Sequence, residues 1–208
     1  MNFVIIASTL LKHLKSIGGV LNTNNTIPIL DCFLFEISKG ELTISASDME
    51  TTITTSTKVE SNDNGNIAIP AKTLLDALSN LPEQPISFIV DKTKNSIKIK
   101  TETGDYNISG QNGAEYPKLP QLNSEASIVI KSDVLGNAIN KTIFATGNDD
   151  LRPVMSGVFC QFNETNSIFV ATDAHKLVRY TRSDAKAGSA SSFIMPKKPL
   201  NILKNLLV

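Results

Sequence analysis

The chain has 208 residues, of which 41% are hydrophobic and 19% charged, a composition typical of one or two folded domains. Lysine plus arginine number 20 and aspartate plus glutamate number 20, so the formal net charge is zero, which excludes a polybasic or an acidic tail. No apolar run approaches the roughly 18 residues that a transmembrane helix needs, and the N-terminus lacks the features of a signal peptide. We therefore expect a cytoplasmic protein in which Cys32 and Cys160 are reduced core residues.

In chain order, the first half predicts strands interrupted by two helices. A strand over 3–8 leads into an amphipathic helix over 8–21, and a strand over 67–70 leads into a helix over 71–81. Apolar strands are predicted over 33–37 and 42–48, and three more within 86–109, the last two forming a hairpin around residues 102–105. This pattern predicts an α+β fold, with helices on one face of antiparallel sheets.

The second half repeats the first at an offset of about 125 residues. A strand over 128–133 with a helix over 132–146 matches the first block, and the later blocks recur as strands over 158–162, 167–173 and 193–196 and a helix over 196–208. Glycines and prolines between residues 110 and 123 predict a linker, which gives domains 1–122 and 123–208. Because the second copy lacks a counterpart of residues 86–109, we expect an N-terminal fragment of a longer chain with an incomplete second domain.

Charge is distributed unevenly although it sums to zero. The four predicted helices carry seven lysines and two acidic residues, Asp76 and Asp133, which leaves 13 basic and 18 acidic residues elsewhere. For any single helix, the excess of lysine could simply serve to keep the exposed face soluble. The same bias in four equivalent helices favours a surface that faces a polyanion.

The sequence holds no motif of a catalytic or metal centre. It has no glycine-rich phosphate loop, paired-histidine zinc motif, Cys-x-x-Cys pair or Gly-x-Ser-x-Gly elbow, and His13 and His175 stand alone. Residues 60–65 resemble a calcium loop faintly, but Ala71 stands where the closing glutamate is needed. Residues 148–150 could bind a metal, with a helix-terminal loop as the simpler interpretation. We expect no catalytic residue, no metal and no cofactor.

Six segments, at matching spacing along the whole chain, resemble the bacterial sliding clamp, the beta subunit of DNA polymerase III. They are Ile27-Pro-Ile-Leu30, Ser47-Asp-Met-Glu50, Ile69-Pro-Ala-Lys72, Tyr116-Pro-Lys-Leu-Pro120, Arg152-Pro-Val-Met-Ser-Gly157 and Ala171-Thr-Asp-Ala-His-Lys-Leu177. The resemblance implies tandem DNA-clamp domains, three in a full-length chain, that close as a homodimer into a ring around double-stranded DNA with helices lining the hole. It also implies a non-catalytic processivity factor of the replicative DNA polymerase.

The resemblance assigns eight residues to DNA contact. They are Asn24, Lys72, Asn148, Asp149, Pro153, Val154, Lys197 and Lys198. Asn24 stands where the family often has a basic residue, and the carboxylate of Asp149 would repel phosphate. Charge alone supports Lys72, Lys197 and Lys198.

The resemblance also assigns a groove on the second domain for short peptides of the polymerase catalytic subunit, the clamp loader and repair polymerases. Its matching positions are Arg152, Met155, Thr172, Ala174, His175, Lys176 and Leu177. Met155 and Leu177 would form an apolar floor under a polar rim, although the same two residues could be plain core. Since the rest of such a groove lies outside this sequence, we expect weak peptide binding.

The remaining expectations concern the dimer and two competing functions. The strand with Tyr106 and Ile108 would lie at a sheet edge and pair with the partner's third domain. One alternative function is a peptide-binding adaptor that does not encircle DNA. Another is a hydrolase or nuclease that uses Asp149 and Asp150.

Overall fold

The computed structural model describes residues 1–22, 25–118, 128–149 and 151–207. The chain divides into two compact units, Met1–Pro120 and Gln121–Val208, called here the first and second domains. The predicted boundary after residue 122 lies outside the described residues, so it stays a prediction.

The first domain contains two four-stranded antiparallel sheets and two helices. One sheet has the order β1-β6-β7-β8, with β1 at Asn2–Ile6, β6 at Pro85–Asp91, β7 at Ser96–Lys100 and β8 at Asp105–Ser109. The other has the order β4-β3-β2-β5, with β2 at Cys32–Ser38, β3 at Glu41–Ser47, β4 at Thr52–Lys58 and β5 at Gly65–Pro70. The helices are α1 at Ala7–Ile17 and α2 at Ala71–Ser79.

Three buried phenylalanines join the two sheets of the first domain. Phe3 on β1 and Phe88 on β6 stack with ring centroids 4.5 Å apart, and Phe35 on β2 lies 6.4 Å from Phe3 and 6.2 Å from Phe88. All three rings are 2% exposed or less, so they supply much of the apolar area that holds the sheets together.

Each first-domain helix buries one apolar stripe. Leu10, Leu14 and Ile17 of α1 are buried at helical spacing, and α1 packs on α2 and on β3 and β4. The helix ends earlier than predicted because Gly18 and Gly19, which are poor helix formers, begin a 3₁₀ turn over Gly18–Val20.

The second domain has one four-stranded sheet and two helices. The sheet order is β11-β10-β9-β12, with β9 at Gly157–Phe162, β10 at Ser167–Thr172, β11 at Leu177–Arg182 and β12 at Ser191–Pro196. Helix α3 spans Ser132–Thr142 and α4 spans Lys197–Leu206. Their buried residues, including Ile139 and Leu200, form one core with Cys160, Phe162 and Phe169 of the sheet.

The internal repeat is visible in the strand order and the register. Sheet β11-β10-β9-β12 has the connectivity of β4-β3-β2-β5, and the pair Cys32↔Pro70 recurs as Gly157↔Pro196. Helices α1 and α3 begin at Ala7 and Ser132 and both run for 11 residues. The predicted repeat, and the α+β arrangement of helices with antiparallel sheets, are confirmed.

One predicted strand is absent. Residues 128–130 form no strand, although their sequence resembles β1; Ile128 and Ile130 pack on the second-domain core while Val129 is 90% exposed. In the first domain β1 pairs with β6. Among the described residues of the second domain, no strand pairs with residues 128–130 in the way that β6 pairs with β1.

None of the helices in the described parts of the chain has the length and apolar character needed to cross a membrane.

The buried thiols predict a loss of stability at alkaline pH. Burial raises the pKa of Cys32 and of Cys160 from 9.0 to about 11, and the pKa of Tyr116 from 10.0 to about 12. Between the unfolded and folded values the unfolded chain releases its protons first, so the free energy of unfolding should fall as pH rises from about 9 to about 11. Urea denaturation across this range measures the slope, which Cys160→Ala should reduce. An unchanged slope in the variant would contradict the assignment.

Substitution of Gly157 by alanine should destabilise the second domain. A Cβ at this position would lie 2.6 Å from the carbonyl oxygen of Met195 and 2.8 Å from Cγ2 of Ile194. Gly157→Ala should therefore lower the free energy of unfolding by roughly 1–3 kcal/mol, measured by chemical denaturation. The matched control is Gly188→Ala in the same domain, where no heavy atom lies within 4 Å of the added Cβ. Equal effects of the two substitutions would show that the close approach is not the cause.

Candidate functional site

The helix lysines lie on the faces opposite the buried stripes. Lys12 and Lys15 on α1, Lys72 on α2 and Lys141 on α3 are exposed, while Lys197, Lys198 and Lys204 on α4 are partly exposed. Asp76 and Asp133 are exposed on the same helices. Within each domain the solvent face of the helix layer therefore carries the positive charge that the sequence predicts.

Lys72 shares its surroundings with two carboxylates. It lies in the first turn of α2 and lines a cleft with Asp31, Asp76 and the apolar side chains of Leu21 and Leu75. The nearby negative charges offset part of the attraction that Lys72 offers to phosphate. Asn24, also predicted to contact DNA, lies outside the described residues.

The loop before β9 brings together residues that the sequence assigns from separate segments. The Lys197 ammonium donates to Oδ1 of Asn148 at 2.7 Å, and the Lys197 backbone N–H donates to the carbonyl of Ser156 at 3.1 Å. Lys198 follows in the first turn of α4. The predicted DNA contacts before β9 and those on α4 thus include one directly bonded pair, Asn148 and Lys197.

Asp149 is bound to Arg152, a contact that sequence reasoning missed. Nε of Arg152 donates to the Asp149 carboxylate at 2.7 Å, and the Leu151 N–H donates to the same side chain at 2.9 Å. The Arg152 hydrogen bond, helped by the Leu151 N–H, lowers the pKa of Asp149 below its ordinary value. Since the pair is solvent-exposed, it orients Arg152 more than it stabilises the fold. The expected repulsion between Asp149 and phosphate is reduced by this partner.

The predicted residues Pro153 and Val154 form an exposed apolar tip. They lie with Met155 in a 3₁₀ turn over Pro153–Met155, where Val154 is 65% exposed, and neighbouring Leu151 is 92% exposed. Side chains of this kind at a loop tip make apolar contacts and contribute no charge.

The two segments that carry the predicted groove residues approach each other at Gly147. Sequence reasoning did not identify this glycine. Its backbone N–H donates to the Met155 carbonyl at 2.8 Å. An added Cβ would lie 3.7 Å from Cβ of Met155 and 3.8 Å from Cα of Asp173. The Met155 turn and the β10–β11 turn, distant in sequence, therefore meet across Gly147.

Asp173 organises the turn between β10 and β11, in which residues 174–176 belong to the predicted groove. Its carboxylate accepts the backbone N–H groups of His175 and Lys176 at 3.0 and 2.9 Å and forms an ion pair with the Lys176 ammonium. These contacts, the Lys176 side chain first, lower the pKa of Asp173. Thr172 Oγ1 donates to the Lys176 carbonyl at 2.8 Å, and Ala174 adopts a left-handed φ of 74°.

The same turn occurs in the first domain, which gives the signal that could have revealed Asp173. Asp48 accepts the backbone N–H groups of Glu50 and Thr51, and Met49 has a φ of 78°. The repeat aligns Asp48 with Asp173, so an aspartate in the same place of both copies marks a conserved turn within this one chain.

The groove side chains are accessible. Leu177 is 66% exposed, His175 and Arg152 are exposed, and Met155 is partly buried. Leu177 is therefore not a core residue, which removes the plain-core interpretation for it. Met155 is the more sheltered of the two predicted floor residues.

Strand β8 is an edge strand whose predicted interface residues face inward. Ile108 is buried at 6% exposure and Tyr106, on the same face, is partly buried. The other face carries Asp105, Asn107 and Ser109, and Asp105 forms an ion pair with Lys98 at 2.7 Å. Pairing at this edge would therefore use the β8 backbone rather than the side chain of Ile108.

No cluster of three or more histidine, cysteine, aspartate or glutamate side chains that could hold a metal occurs among the described residues. Asp150, which the nuclease alternative needs, lies outside them. Its neighbour Asp149 is already engaged by Arg152.

Both domains of the chain match one known protein family. Residues 1–120 match the model of the DNA polymerase III beta subunit, N-terminal domain, and residues 129–208 match that of its central domain. The chain is 31% identical to the beta sliding clamp of Haemophilus influenzae and 26% identical to that of Bacillus subtilis. Each alignment covers 100% of this chain and 57% of the relative, so the chain spans little more than half the length of these relatives.

Solved structures of the same family share the fold. A putative DNA polymerase III beta subunit from Eubacterium rectale superposes with a TM-score of 0.94 at 25% identity, over 100% of this chain and 56% of that one. A DnaN sliding clamp from Pseudomonas aeruginosa bound to griselimycin gives 0.92 at 25% identity, over 100% and 57%. Because both domains match models of one family in the family's own order, the chain belongs to the DNA polymerase III beta subunit family, with an N-terminal and a central domain.

Proposed function

We propose that this chain supplies two domains of a DNA sliding clamp, the processivity factor of a replicative DNA polymerase. The observation that carries the proposal is the set of exposed and partly exposed helix lysines in both domains of a chain that belongs to the beta subunit family. The full-length protein would act without catalysis, in the cytoplasm, as a homodimeric ring around double-stranded DNA.

The concentration of lysines on the helix faces agrees with a ring that encloses DNA and attracts it only weakly. A ring that holds DNA by its topology needs no sequence-specific contact, and lysines facing phosphates supply a diffuse attraction that depends on salt. The zero net charge of the chain keeps this attraction local to the helix faces. Lys72, Lys197 and Lys198 are the contacts we propose first, with Asn148 holding the Lys197 ammonium in place.

The groove built around Gly147 supports a second role, the docking of short peptides. Met155 and Leu177 offer apolar contact, while Arg152, Thr172, His175 and Lys176 surround them with polar groups. A similar protein binds a ligand, since the Pseudomonas aeruginosa clamp was crystallised with griselimycin. The partners we propose are the polymerase catalytic subunit, the clamp loader and repair polymerases, each through a linear peptide.

Homodimer closure would use the free edge of β8. Edge strands pair with other chains through their unpaired N–H and C=O groups. The outward residues Asp105, Asn107 and Ser109 would then flank the pairing partner.

A peptide-binding adaptor remains the second candidate function. Two observations favour it. The turn that carries the peptide groove is fixed by several hydrogen bonds. At the proposed DNA contact Lys72, the carboxylates of Asp31 and Asp76 in the same cleft offset part of the attraction for phosphate. DNA binding decides between the two candidates.

Reversal of helix lysines should weaken DNA binding. We expect the triple variant Lys72→Glu, Lys197→Glu and Lys198→Glu to lower the affinity for duplex DNA. The slope of log K against the logarithm of the salt concentration should become less steep by about two to three units, because each lost phosphate contact removes close to one unit. Fluorescence anisotropy across a salt series measures both quantities.

The matched control reverses three exposed lysines outside the helices, Lys94, Lys100 and Lys186, which changes the net charge equally. If both triple variants lose the same affinity, net charge and not the helix face is responsible. If the full-length protein is not retained on nicked circular DNA, the adaptor function is favoured.

Groove truncation should weaken ligand binding. We expect Met155→Ala with His175→Ala to raise the Kd for griselimycin by about tenfold or more, since the pair removes apolar contact and a polar rim group from one small site. Isothermal calorimetry measures the affinity. The control is Met49→Ala with Glu50→Ala, in the corresponding exposed turn of the first domain. Equal affinities of the groove variant and the unmodified chain would mean that the site is misplaced.

A further inference from the structure

The sequence contains two asparagine–glycine pairs, and their surroundings in the first domain differ. They are Asn64-Gly65, in the loop that leads into β5, and Asn112-Gly113, in the segment that follows β8. Because glycine has no side chain, its backbone nitrogen is open to reaction with groups nearby in the chain. The side-chain amide of the preceding asparagine is the electrophile within its reach.

The amide carbon of Asn64 is polarised by a backbone donor. The Lys39 N–H donates to Oδ1 of Asn64 at 3.0 Å, and the Asn64 side chain is exposed. When a nucleophile attacks Cγ of an amide, the oxygen acquires negative charge, and a donor already aimed at that oxygen stabilises it. The Lys39 N–H therefore lowers the barrier to attack on Asn64.

A lysine ammonium binds the peptide bond that joins Asn64 to Gly65. Lys92 Nζ donates to the Asn64 backbone carbonyl at 2.7 Å, and it lies so close to Gly65 that an added Cβ would collide with it. Removal of the Gly65 N–H proton leaves a negative charge that the conjugated peptide bond shares with the Asn64 carbonyl oxygen. The positive charge of Lys92 stabilises this anion, which is the nucleophilic form of the nitrogen.

Gly65 also lies at the end of a ladder. It is the first residue of β5 and forms with Ile37 the last pair between β2 and β5, at a φ of 149° that L side chains rarely adopt. Terminal pairs of a ladder open more readily than central ones. The Gly65 nitrogen is thus released by local opening, without unfolding of the sheet.

Asn112-Gly113 has different contacts. Both asparagines accept a backbone N–H at Oδ1, but the Asn112 carbonyl accepts the Glu115 N–H at 3.1 Å, where that of Asn64 accepts an ammonium. Gly113 is buried, and an added Cβ would lie 2.8 Å from the backbone nitrogen of Ile67. The second pair is therefore held more rigidly and lacks the charge that favours the anion.

We propose that Asn64 is a site of spontaneous deamidation in the first domain. The Gly65 nitrogen gives its proton to water and forms a bond to Cγ of Asn64; the bond between Cγ and Nδ2 breaks, and Nδ2 takes up a proton and leaves as ammonia. Water then opens the cyclic imide at either carbonyl, which leaves aspartate or isoaspartate at position 64. This inference rests on the contacts of the loop and does not depend on the proposed function.

The reaction would change the loop that connects the two sheets of the first domain. Oδ2 of Asp63 accepts the Asn2 N–H at 2.7 Å, and the Ser61 hydroxyl donates to the Asn2 carbonyl at 2.6 Å, so the loop is bound to β1. Deamidation places a second carboxylate beside Asp63, and isoaspartate adds a methylene group to the backbone. Both changes disturb the contacts between the loop and β1.

The test follows the two asparagines of the whole chain during incubation at physiological pH and temperature. Peptide mapping by mass spectrometry should show acid at position 64 forming about tenfold or more faster than at Asn112, because a charge-assisted hydrogen bond stabilises the anion only at Asn64. Released ammonia and the fragmentation pattern of isoaspartate identify the route. Persistence of the Asn64 amide, or equal rates at the two positions, would overturn the proposal.

A lysine substitution distinguishes promotion by contacts from simple exposure. We expect Lys92→Gln to slow conversion of Asn64 by about tenfold. The matched control Lys94→Gln, in the same turn and also exposed, should leave the rate unchanged. In urea, where the contacts are lost, the two asparagines should convert at the same rate. An undiminished rate in Lys92→Gln, or a difference between the asparagines that persists in urea, would show that the fold does not promote the reaction.

Discussion

Burial of one apolar stripe on each helix is the constraint from which the functional surfaces follow. Leu10, Leu14 and Ile17 on α1 lie against the sheet and α2, so Lys12 and Lys15 must point to solvent. Helices α2, α3 and α4 obey the same rule. The positive face is therefore a consequence of core packing combined with the choice of lysine at the outer positions. A neutral chain can in this way present a locally cationic layer to solvent.

The two domains share the same turn geometry but surround it with different side chains. The turn at Asp48 and the turn at Asp173 share their hydrogen-bond pattern and a left-handed residue, Met49 or Ala174. Around them the side chains differ: the first copy buries Leu30 under Tyr116, and the second leaves Met155 partly accessible beside Gly147.

The loop over residues 147–157 connects the two proposed surfaces of the second domain. Asn148 holds Lys197 at the start of α4, while Asp149 holds Arg152 at the groove. Both contacts lie at exposed positions, so each adds little stability and mainly fixes direction. Short loops that carry side chains for two partners are positioned by the sheet strands that flank them, here β9 through Gly157.

Local periodicity determined much of this protein from the sequence alone. The repeat, the four helices, most strands and the lysine bias could be predicted because apolar spacing reports which face of an element is buried. Contacts between distant segments could not be predicted: the bond of Asn148 with Lys197 and the approach of Met155 and Asp173 to Gly147 depend on how whole elements pack. Residues 128–130 have the sequence of a strand but pair with no strand among the described residues, and Ile108, on the edge strand predicted to form the dimer interface, directs its side chain to the core. Strand formation and side-chain exposure are decided by neighbours in space, which only the tertiary structure supplies.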